Sequence, residues 1–249
     1  MESYVTISVD DGHPTDLRTA DLLHKYGLGA TFYVPARNPE RPVMNVAQIR
    51  EIAKQFEIGG HTMNHAPLRY LPRAKAWSEI NEGKKWLENV LGRRIMSFCY
   101  PRNGFGTTTT ALVKEAGFIG ARTTLLNRCE FPRNPFLWGV STHASASSKY
   151  IQLRHALIKQ NFKGAWNFLR IHNCSTVWQS HFLSALDYVG AHGGVAHLYL
   201  HSWLIDREED WGKLDSIFQS IQERKSLSRV TNGTLFEMWK GRNNGSRRG

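Results

Sequence analysis

Short apolar segments of β-type composition alternate with longer amphipathic segments along the chain, and this order limits the possible folds more than any other feature. The spacing predicts strands at Val5–Val9, Ala30–Val34, Glu57–Gly60, Met96–Tyr100, Ile119–Arg122 and Val195–His201, with weaker ones at Leu137–Ser141 and Ser228–Thr231. It predicts helices at Thr15–Tyr26, Val46–Lys54, Arg73–Leu91, Thr108–Ala116, Tyr150–Leu169, Val177–His192 and Trp211–Arg224. This alternation indicates an α/β fold of parallel strands, arranged as a barrel or as an open doubly wound sheet.

The composition indicates one domain. Hydrophobic residues make up 41% of the 249 positions, and α/β barrels of about 200–250 residues are often single domains. No linker or repeat interrupts the pattern, so we expect one catalytic-type barrel over residues 1–240 and a basic, disordered tail over residues 241–249. No apolar run approaches the ~18–20 residues of a membrane span. The three scattered cysteines suit a reducing compartment or a fold without disulfides.

The charge is strongly basic and unevenly spread. The formal net charge is +11, and residues 131–186 contain no Asp or Glu. Such a field favours an anionic partner such as a phosphorylated compound, an acidic membrane face or a nucleic acid. A solvated basic face with a basic tail is the alternative. With no targeting signal in the chain, we expect a cytoplasmic protein, either free or peripheral at the inner membrane face.

Polar residues collect at the carboxyl ends of the predicted strands, where parallel α/β folds place their functional sites. This shared placement is more informative than any one motif, because Asp-Gly alone is an ordinary turn signal. The residues at such ends are Asp10, Asp11, His61, Tyr100, Arg122 and His201.

Two histidine pairs with four-residue spacing differ in their expected geometry. His61 and His65 follow a strand, where one helical turn would place them about 5–6 Å apart on the same side. His197 and His201 lie in an extended run, where four residues span about 13 Å, so they cannot share an ion. We therefore predict that His201 is functional and that His197 is a core histidine.

The adjacent carboxylates of Asp10 and Asp11 can act separately. Neighbouring side chains on a strand point to opposite faces, but a strand end that turns at Gly12 lets the two diverge. Asp11 with His61 and His65 would leave an open position on a divalent metal ion, as catalytic zinc sites do. Asp10 is then predicted to be the general base and His201 the general acid.

The segment after the fourth strand adds a turn that contains proline. Pro101 fixes its own φ and removes one donor, so the N–H groups beside it could form an oxyanion hole. A plain strand-to-helix turn fits the same residues.

These segments resemble the polysaccharide deacetylase (NodB-homology) family, carbohydrate esterase family 4, from Ser8 to His201. The Asp10-Asp11-Gly12 and His61-Thr-Met-Asn-His65 segments match the family pattern closely, and later segments match more loosely. The resemblance implies a distorted (β/α)7-type barrel, a divalent metal ion with zinc expected, and hydrolysis of an N-acyl group, usually acetyl, from an amino sugar. It implies the same roles for the five site residues, and it makes the backbone N–H of Arg102 the oxyanion donor.

The third motif departs from the family pattern, which often reads Arg-x-Pro-Tyr-Gly. Cys99 stands at the arginine position and Arg102 at the tyrosine position. In the family that arginine orients the catalytic base. We expect Arg122 to supply this role and to hold Asp10 ionised, the alternative being a surface charge.

Three residues are predicted to contact substrate, namely Tyr100, Pro101 and Trp203. The His201-Ser-Trp203 segment, with Asp206 and Trp211, resembles a subgroup that acts on small or lipid-linked sugars. Trp203 could stack on a sugar face. Asp206 either orients His201 or is an exposed loop acid, and Trp211 is expected in the core.

The stretch Tyr150–Leu169 mixes aromatic and aliphatic residues with lysine and arginine. It fits a helix on an anionic bilayer or an outer helix of the barrel. The expected partner is an N-acylated amino sugar, lipid-linked or phosphorylated if the 149–170 region contacts a membrane; a nucleic acid is not expected. The alternatives are an allantoinase-like amidohydrolase on a linear or cyclic amide, and a non-catalytic glycan- or nucleic-acid-binding barrel.

Overall fold

A parallel sheet forms the centre of the protein, in a computed structural model that describes residues 2–146 and 148–245. Its strands are β1 (Ser3–Asp10), β2 (Thr31–Val34), β3 (Glu57–Gly60), β4 (Ser97–Cys99), β5 (Gly120–Arg122), β6 (Thr142–His143), β7 (Gly194–Leu200) and β8 (Ser228–Arg229). They lie in the order β5-β4-β3-β2-β1-β7-β6, and β8 pairs with β1 off this path.

Helices surround the sheet. They are α1 (Asp16–Lys25), α2 (Val46–Ile52), α3 (Arg73–Leu91), α4 (Thr107–Glu115), α5 (Lys149–Ile158), α6 (Phe162–Arg170), α7 (Trp178–His192), α8 (Ser202–Arg207), α9 (Trp211–Glu223) and α10 (Asn232–Gly245), with short 3-10 turns at Leu68–Tyr70 and Pro101–Asn103. The predicted single-domain α/β fold is confirmed.

The sheet curls into a distorted barrel because its two outer edges approach each other. Trp138 forms a parallel bridge with Arg122 of β5, and β6, a few residues later, pairs with β7. Trp138 is 2% exposed and packs beside Phe236 of α10 at a ring-centroid distance of 5.5 Å. One buried tryptophan therefore fills the side where regular strand pairing is missing.

Most predicted elements have the observed type and bounds within one or two residues, and four regions differ. The weak strand expected at Leu137–Ser141 appears instead at Thr142–His143. Within Leu137–Ser141, Trp138 forms an isolated bridge to Arg122, which is too little pairing to make a strand. The helix expected over Tyr150–Leu169 is two helices, since Asn161 caps α6 by accepting from the Gly164 N–H at 3.1 Å. The helices α8 and α10 were not predicted.

The carboxyl-terminal helix α10 extends into the region expected to be a disordered tail. Its backbone is helical as far as Gly245, and residues 246–249 lie outside the described residues. No helix in the described part of the chain is long and apolar enough to cross a membrane.

Candidate metal centre and active site

The carboxyl ends of the strands meet around one cleft of about 490 Å³. Asp10 and Asp11 follow from β1, His61 from β3 and His201 from β7, and all four line this cleft together with His65. The strand-end placement predicted for them is what the structure has. Since parallel strands present their carboxyl ends at the same rim, residues far apart in the chain lie side by side.

Asp11 lies between the two histidines of the first pair. Its Oδ1 is 3.2 Å from His65 Nε2 and 3.7 Å from His61 Nε2. Three ligands about 2.0–2.1 Å from a tetrahedral zinc ion stand roughly 3.3 Å from one another. These three atoms could hold one metal ion.

The hydrogen bonds around the triad suit metal binding. His61 Nδ1–H donates to the Cys99 carbonyl at 2.9 Å, which leaves the Nε2 lone pair free, the usual arrangement of a ligating histidine. Among the described residues, Asp11 Oδ1 has no hydrogen-bond partner although it is buried. The residues present therefore fit a divalent ion.

Trp203 of α8 supports the third ligand. Its Nε1–H donates to Asp11 Oδ2 at 2.9 Å, so Oδ1 is the oxygen turned towards the two histidines. The guanidinium of Arg41 covers the ring at 3.6 Å. Trp203 lines the cleft as predicted, but one ring face and the N–H are already engaged, which does not favour the predicted stacking on a sugar.

A second possible donor set, Asp10, His61 and Cys99, shares one histidine with the first. Its other two members have partners of their own. The Cys99 thiol donates a hydrogen bond to Asp10 Oδ2, with 3.7 Å between the two atoms. Burial raises the pKa of the Cys99 thiol well above its usual range. The Asp11 set is the better candidate, because a metal ion binds a deprotonated thiolate and burial holds the Cys99 thiol protonated.

The histidine pair lies on a loop, and the predicted helical turn is wrong. The loop is fixed by Glu79 of α3, whose carboxylate accepts from the Asn64 backbone N–H at 2.9 Å and from the Asn64 side chain at 2.8 Å. Gly83 of the same helix lets α3 approach so closely that a Cβ there would meet the Thr62 carbonyl carbon at 2.6 Å. The ring centroids still stand 5.1 Å apart.

Left-handed backbone conformations concentrate at this rim. Asp11 has φ 79°, His65 has φ 53° and Arg102 has φ 52°. Non-glycine residues adopt this region at a cost of about 1–3 kcal/mol when the surrounding structure imposes it, often at functional sites. At Asp11 this conformation, directly after the last residue of β1, lets two adjacent carboxylates both line the cleft.

Arg122 holds Asp10 as predicted. The guanidinium of Arg122 is fully buried, and its Nη2 donates to Asp10 Oδ1. Its carbon also lies 4.7 Å from the Tyr199 ring centroid and 5.3 Å from that of Tyr33. The alternative of a surface charge for Arg122 is wrong.

Electrostatics keep both carboxylates ionised. Burial would raise the pKa of Asp10, but the positive charge of Arg122 outweighs this and the pKa is lowered. Burial acts on Asp11 in the same way, and the adjacent imidazoles of His61 and His65 outweigh it and lower the pKa of Asp11 well below the usual range. An ionised Asp10 can accept a proton, as a general base must.

His201 faces the triad from across the cleft, with Nε2 3.9 Å from Asp11 Oδ2. Its Nδ1 lies 3.2 Å from Nε2 of His143, and His143 Nδ1 lies 2.9 Å from Ser145 Oγ. When the Ser145 hydroxyl donates to His143 Nδ1, the proton of neutral His143 is on Nε2 and is donated to His201 Nδ1. A neutral His201 then carries its own proton on Nε2. Burial lowers the pKa of both histidines, which suits neutral rings.

His143 was not predicted as a site residue. The only signal was the weak strand before it, and that strand was placed too early to end at His143. Asp206 is not the partner of His201, because its Oδ1 accepts from Trp211 Nε1 at 2.8 Å and it pairs with Arg18 at 3.6 Å. Trp211 packs against the core as expected.

In the turn after β4, the side chains predicted to contact substrate do not point into the cleft as expected. The hydroxyl of Tyr100 donates to the Phe136 carbonyl at 3.2 Å and its ring is buried, so the hydroxyl does not reach the cleft although the residue lines it. Pro101 is buried and is not one of the cleft's lining residues, against its predicted contact with substrate. Arg102 lines the cleft and its side chain pairs with Glu40.

His197 occupies the position predicted for a core histidine. It is buried in the middle of β7, and its Nε2 lies 2.9 Å from Ser8 Oγ of the neighbouring strand. Burial lowers its pKa to about 3.

Comparison with known proteins agrees with the fold. Residues 1–121 match the family model for polysaccharide deacetylases. The chain is 29% identical to a peptidoglycan-N-acetylglucosamine deacetylase of Bacillus cereus over 154 residues, which are 59% of this chain and 69% of that protein. It is 26% identical over 126 residues to YxkH of Bacillus subtilis, a protein named for the same family.

The match to YxkH covers 49% of this chain and only 45% of that protein. A solved polysaccharide deacetylase-type protein from Mycobacterium smegmatis has the same fold, with a TM-score of 0.67 and 15% identity over 96% of this chain and 91% of the other. The matched family model, the curated relatives and the fold agree with the motifs at the rim. The chain is thus similar to the polysaccharide deacetylase (NodB-homology) family, carbohydrate esterase family 4, with the family model matching residues 1–121.

Proposed function

We propose that this protein is a metal-dependent hydrolase that removes an N-acyl group, with N-acetyl expected, from an amino sugar. One observation carries the proposal: Asp11 Oδ1 lies 3.2 and 3.7 Å from two imidazole nitrogens, with Asp10 and His201 lining the same cleft. A ligand set with a base and an acid beside it is what metal-assisted amide hydrolysis needs. The relatives named for deacetylation support the same reaction class.

The proposed metal ion is divalent, with zinc expected, and would be held by Asp11, His61 and His65. When bound, it would polarise the amide carbonyl and acidify a water molecule. Two neutral imidazoles and one carboxylate are a ligand set typical of catalytic zinc.

The protein's own residues would move the protons. Asp10, kept ionised by Arg122, takes a proton from the attacking water as its oxygen bonds to the amide carbon. The N–H of Arg102 donates to the oxygen that becomes negative. His201, protonated on both ring nitrogens for this step, gives the proton on Nε2 to the amine nitrogen as the C–N bond breaks and is left neutral, so the products are a carboxylate and a free amino sugar.

The cleft also supports an anionic group on the substrate. Lys159 and Arg41 line it. Among the described residues Lys159 has no ion-pair partner, and Arg41 has one contact, with Glu40 at 3.5 Å. A phosphorylated or lipid-linked amino sugar would place a phosphate near these cations.

The decisive experiment measures acetate or formate release from monomeric, nucleotide-linked, lipid-linked and polymeric N-acylated amino sugars. The protein is first stripped with a chelator and then reloaded with zinc, cobalt or manganese. We expect release to stop after stripping and to return on reloading. Release that is unchanged in the stripped protein, or activity on allantoin-like cyclic amides alone, would refute the proposal.

A further inference from the structure

Helices α5 and α6 present apolar side chains to solvent. We call these residues the α5–α6 face: Tyr150, Leu153, Leu157, Ile158, Phe162, Trp166 and Leu169. Leu157 is 64% exposed, Phe162 66% and Trp166 58%. Exposed apolar residues scattered singly are normal, but a contiguous group on adjacent helices marks a contact surface.

Helix α6 carries apolar side chains on two sides, since Phe168 is buried against the rest of the protein while a second set faces solvent. Phe162, Trp166 and Leu169 share one exposed stripe by their spacing. On the opposite side, Asn167 is buried and its amide donates to the Asn127 carbonyl at 2.8 Å. The apolar stripe of a packed helix normally faces inward. The stripe of Phe162, Trp166 and Leu169 faces solvent instead, so it can contact an apolar partner outside the protein.

The same face is basic. Residues 131–186 contain no acidic residue. Lys149, Arg154 and Lys159 are exposed, and among the described residues none of the three has an ion-pair partner. Lys163 pairs with Glu130 at 3.5 Å, and the guanidinium of Arg170 lies 5.0 Å from the Trp166 ring.

We propose that the α5–α6 face docks the protein on an anionic lipid bilayer. The aromatic and aliphatic side chains would enter the boundary between headgroups and acyl chains, while lysine and arginine contact anionic headgroups, as in amphipathic helices that lie in a membrane interface. The charge complements an acidic leaflet, and the apolar stripe distinguishes this partner from a nucleic acid. The protein would be peripheral to the membrane.

Docking in this way would bring the cleft to the membrane. Gln152, Ala156 and Lys159 of α5 line the cleft, and Asn161, between the two helices, donates to the Leu126 carbonyl of the cleft wall at 2.8 Å. The face and the cleft therefore share one wall. Resting on the proposed function, this placement favours an amino sugar carried on a phosphate-bearing lipid, with its acyl amide in the cleft and its hydrocarbon in the bilayer.

The test is sedimentation of the full chain with vesicles of phosphatidylcholine alone or mixed with phosphatidylglycerol, without any substrate. We expect binding to the mixed vesicles, weaker binding as salt rises, and little binding to the neutral ones. The double variant Trp166→Glu with Leu169→Glu should bind the mixed vesicles at least tenfold more weakly. Tyr70→Glu, which adds an acid at an 80% exposed aromatic residue elsewhere, should bind like the wild type.

The basic residues have their own matched pair of variants. Lys149→Glu with Arg154→Glu should weaken binding by about tenfold or more, since each cation near an anionic surface contributes about 1 kcal/mol. Lys75→Glu with Lys85→Glu, on the exposed side of α3, makes the same change of charge elsewhere and should have a smaller effect.

Three results would overturn the proposal. The first is that the wild type does not bind mixed vesicles, and the second is that vesicle binding falls equally in the face variants and in their controls. The third is that the wild type is a dimer in ultracentrifugation, that the face variants are monomers, and that none of them binds vesicles. The last result would assign the face to a second copy of the chain. Because acyl release from a soluble substrate is measured separately, failure of docking is distinguishable from failure of the proposed function.

Discussion

Arg122, the last residue of β5, donates a hydrogen bond to the carboxylate of Asp10, the last residue of β1. In the sheet, β4, β3 and β2 separate these two strands, so the arginine reaches its partner across the inside of the curled sheet. The family pattern places an arginine where this chain has Cys99. A residue on the next strand thus supplies the same positive charge beside the predicted base.

Asp10→Asn should abolish most turnover while metal content stays near that of the wild type. The amide keeps the shape of the side chain and cannot take a proton, and a positioned base contributes roughly 10²–10⁴-fold. Acyl release and elemental analysis of the same preparation check this. His61→Ala should lose both activity and metal, and turnover that survives Asp10→Asn would show that another group is the base.

Arg122→Met should destabilise the fold and change its dependence on pH. Removing one partner of a buried ion pair typically costs about 3–5 kcal/mol. Because Arg122 lowers the pKa of Asp10, the wild-type pair stabilises the folded state above the unfolded carboxyl pKa, and this stabilisation is lost as pH falls through the lower, folded-state pKa.

Urea unfolding across pH measures that dependence. The double variant Asp10→Asn with Arg122→Met should recover part of the loss, since it leaves no unpaired buried charge. Equal stability of the wild type and Arg122→Met at neutral pH would contradict the buried pair.

Trp203→Phe should weaken metal binding by about 10–100-fold, the usual effect of removing a group that orients a ligand. The substitution keeps an aromatic ring and removes only the N–H that donates to Asp11 Oδ2. Competition between the protein and a chromogenic chelator for zinc measures this affinity. Trp211→Phe is the matched control, because its N–H donates to the exposed Asp206 instead; equal losses in both variants would mean a general effect of the substitution.

His143→Ala should lower kcat by about tenfold with little change in KM, because His143 positions His201 through one hydrogen bond. His143→Gln can still donate from its amide nitrogen and should recover much of the loss. Steady-state kinetics on a soluble substrate, with the pH profile of kcat, test this. A change in KM alone, or no difference between the alanine and glutamine variants, would assign His143 a purely structural role.

Much of the site follows from local sequence. The alternation of apolar strands and amphipathic helices determined a parallel α/β fold, and the carboxyl ends of parallel strands then had to bring Asp10, Asp11, His61 and His201 to one rim. The two histidine pairs have the same four-residue spacing, and the strand predicted under His197 and His201 distinguished them, because an extended strand separates its residues by its own rise.

Contacts between distant segments decided the rest. The left-handed turn at Asp11, the support of the histidine loop by Glu79 and the hydrogen bond from Trp203 depend on packing of α3 and α8, which no local pattern encodes. The partner of His201 depended on where β6 pairs with β7, and the prediction missed His143 because it ended that strand at Ser141, two residues too early. Which side of α6 faces inward likewise became visible only once Asn167 had a backbone partner and Phe168 was buried, since a hydrophobic stripe in sequence does not say which side faces the core.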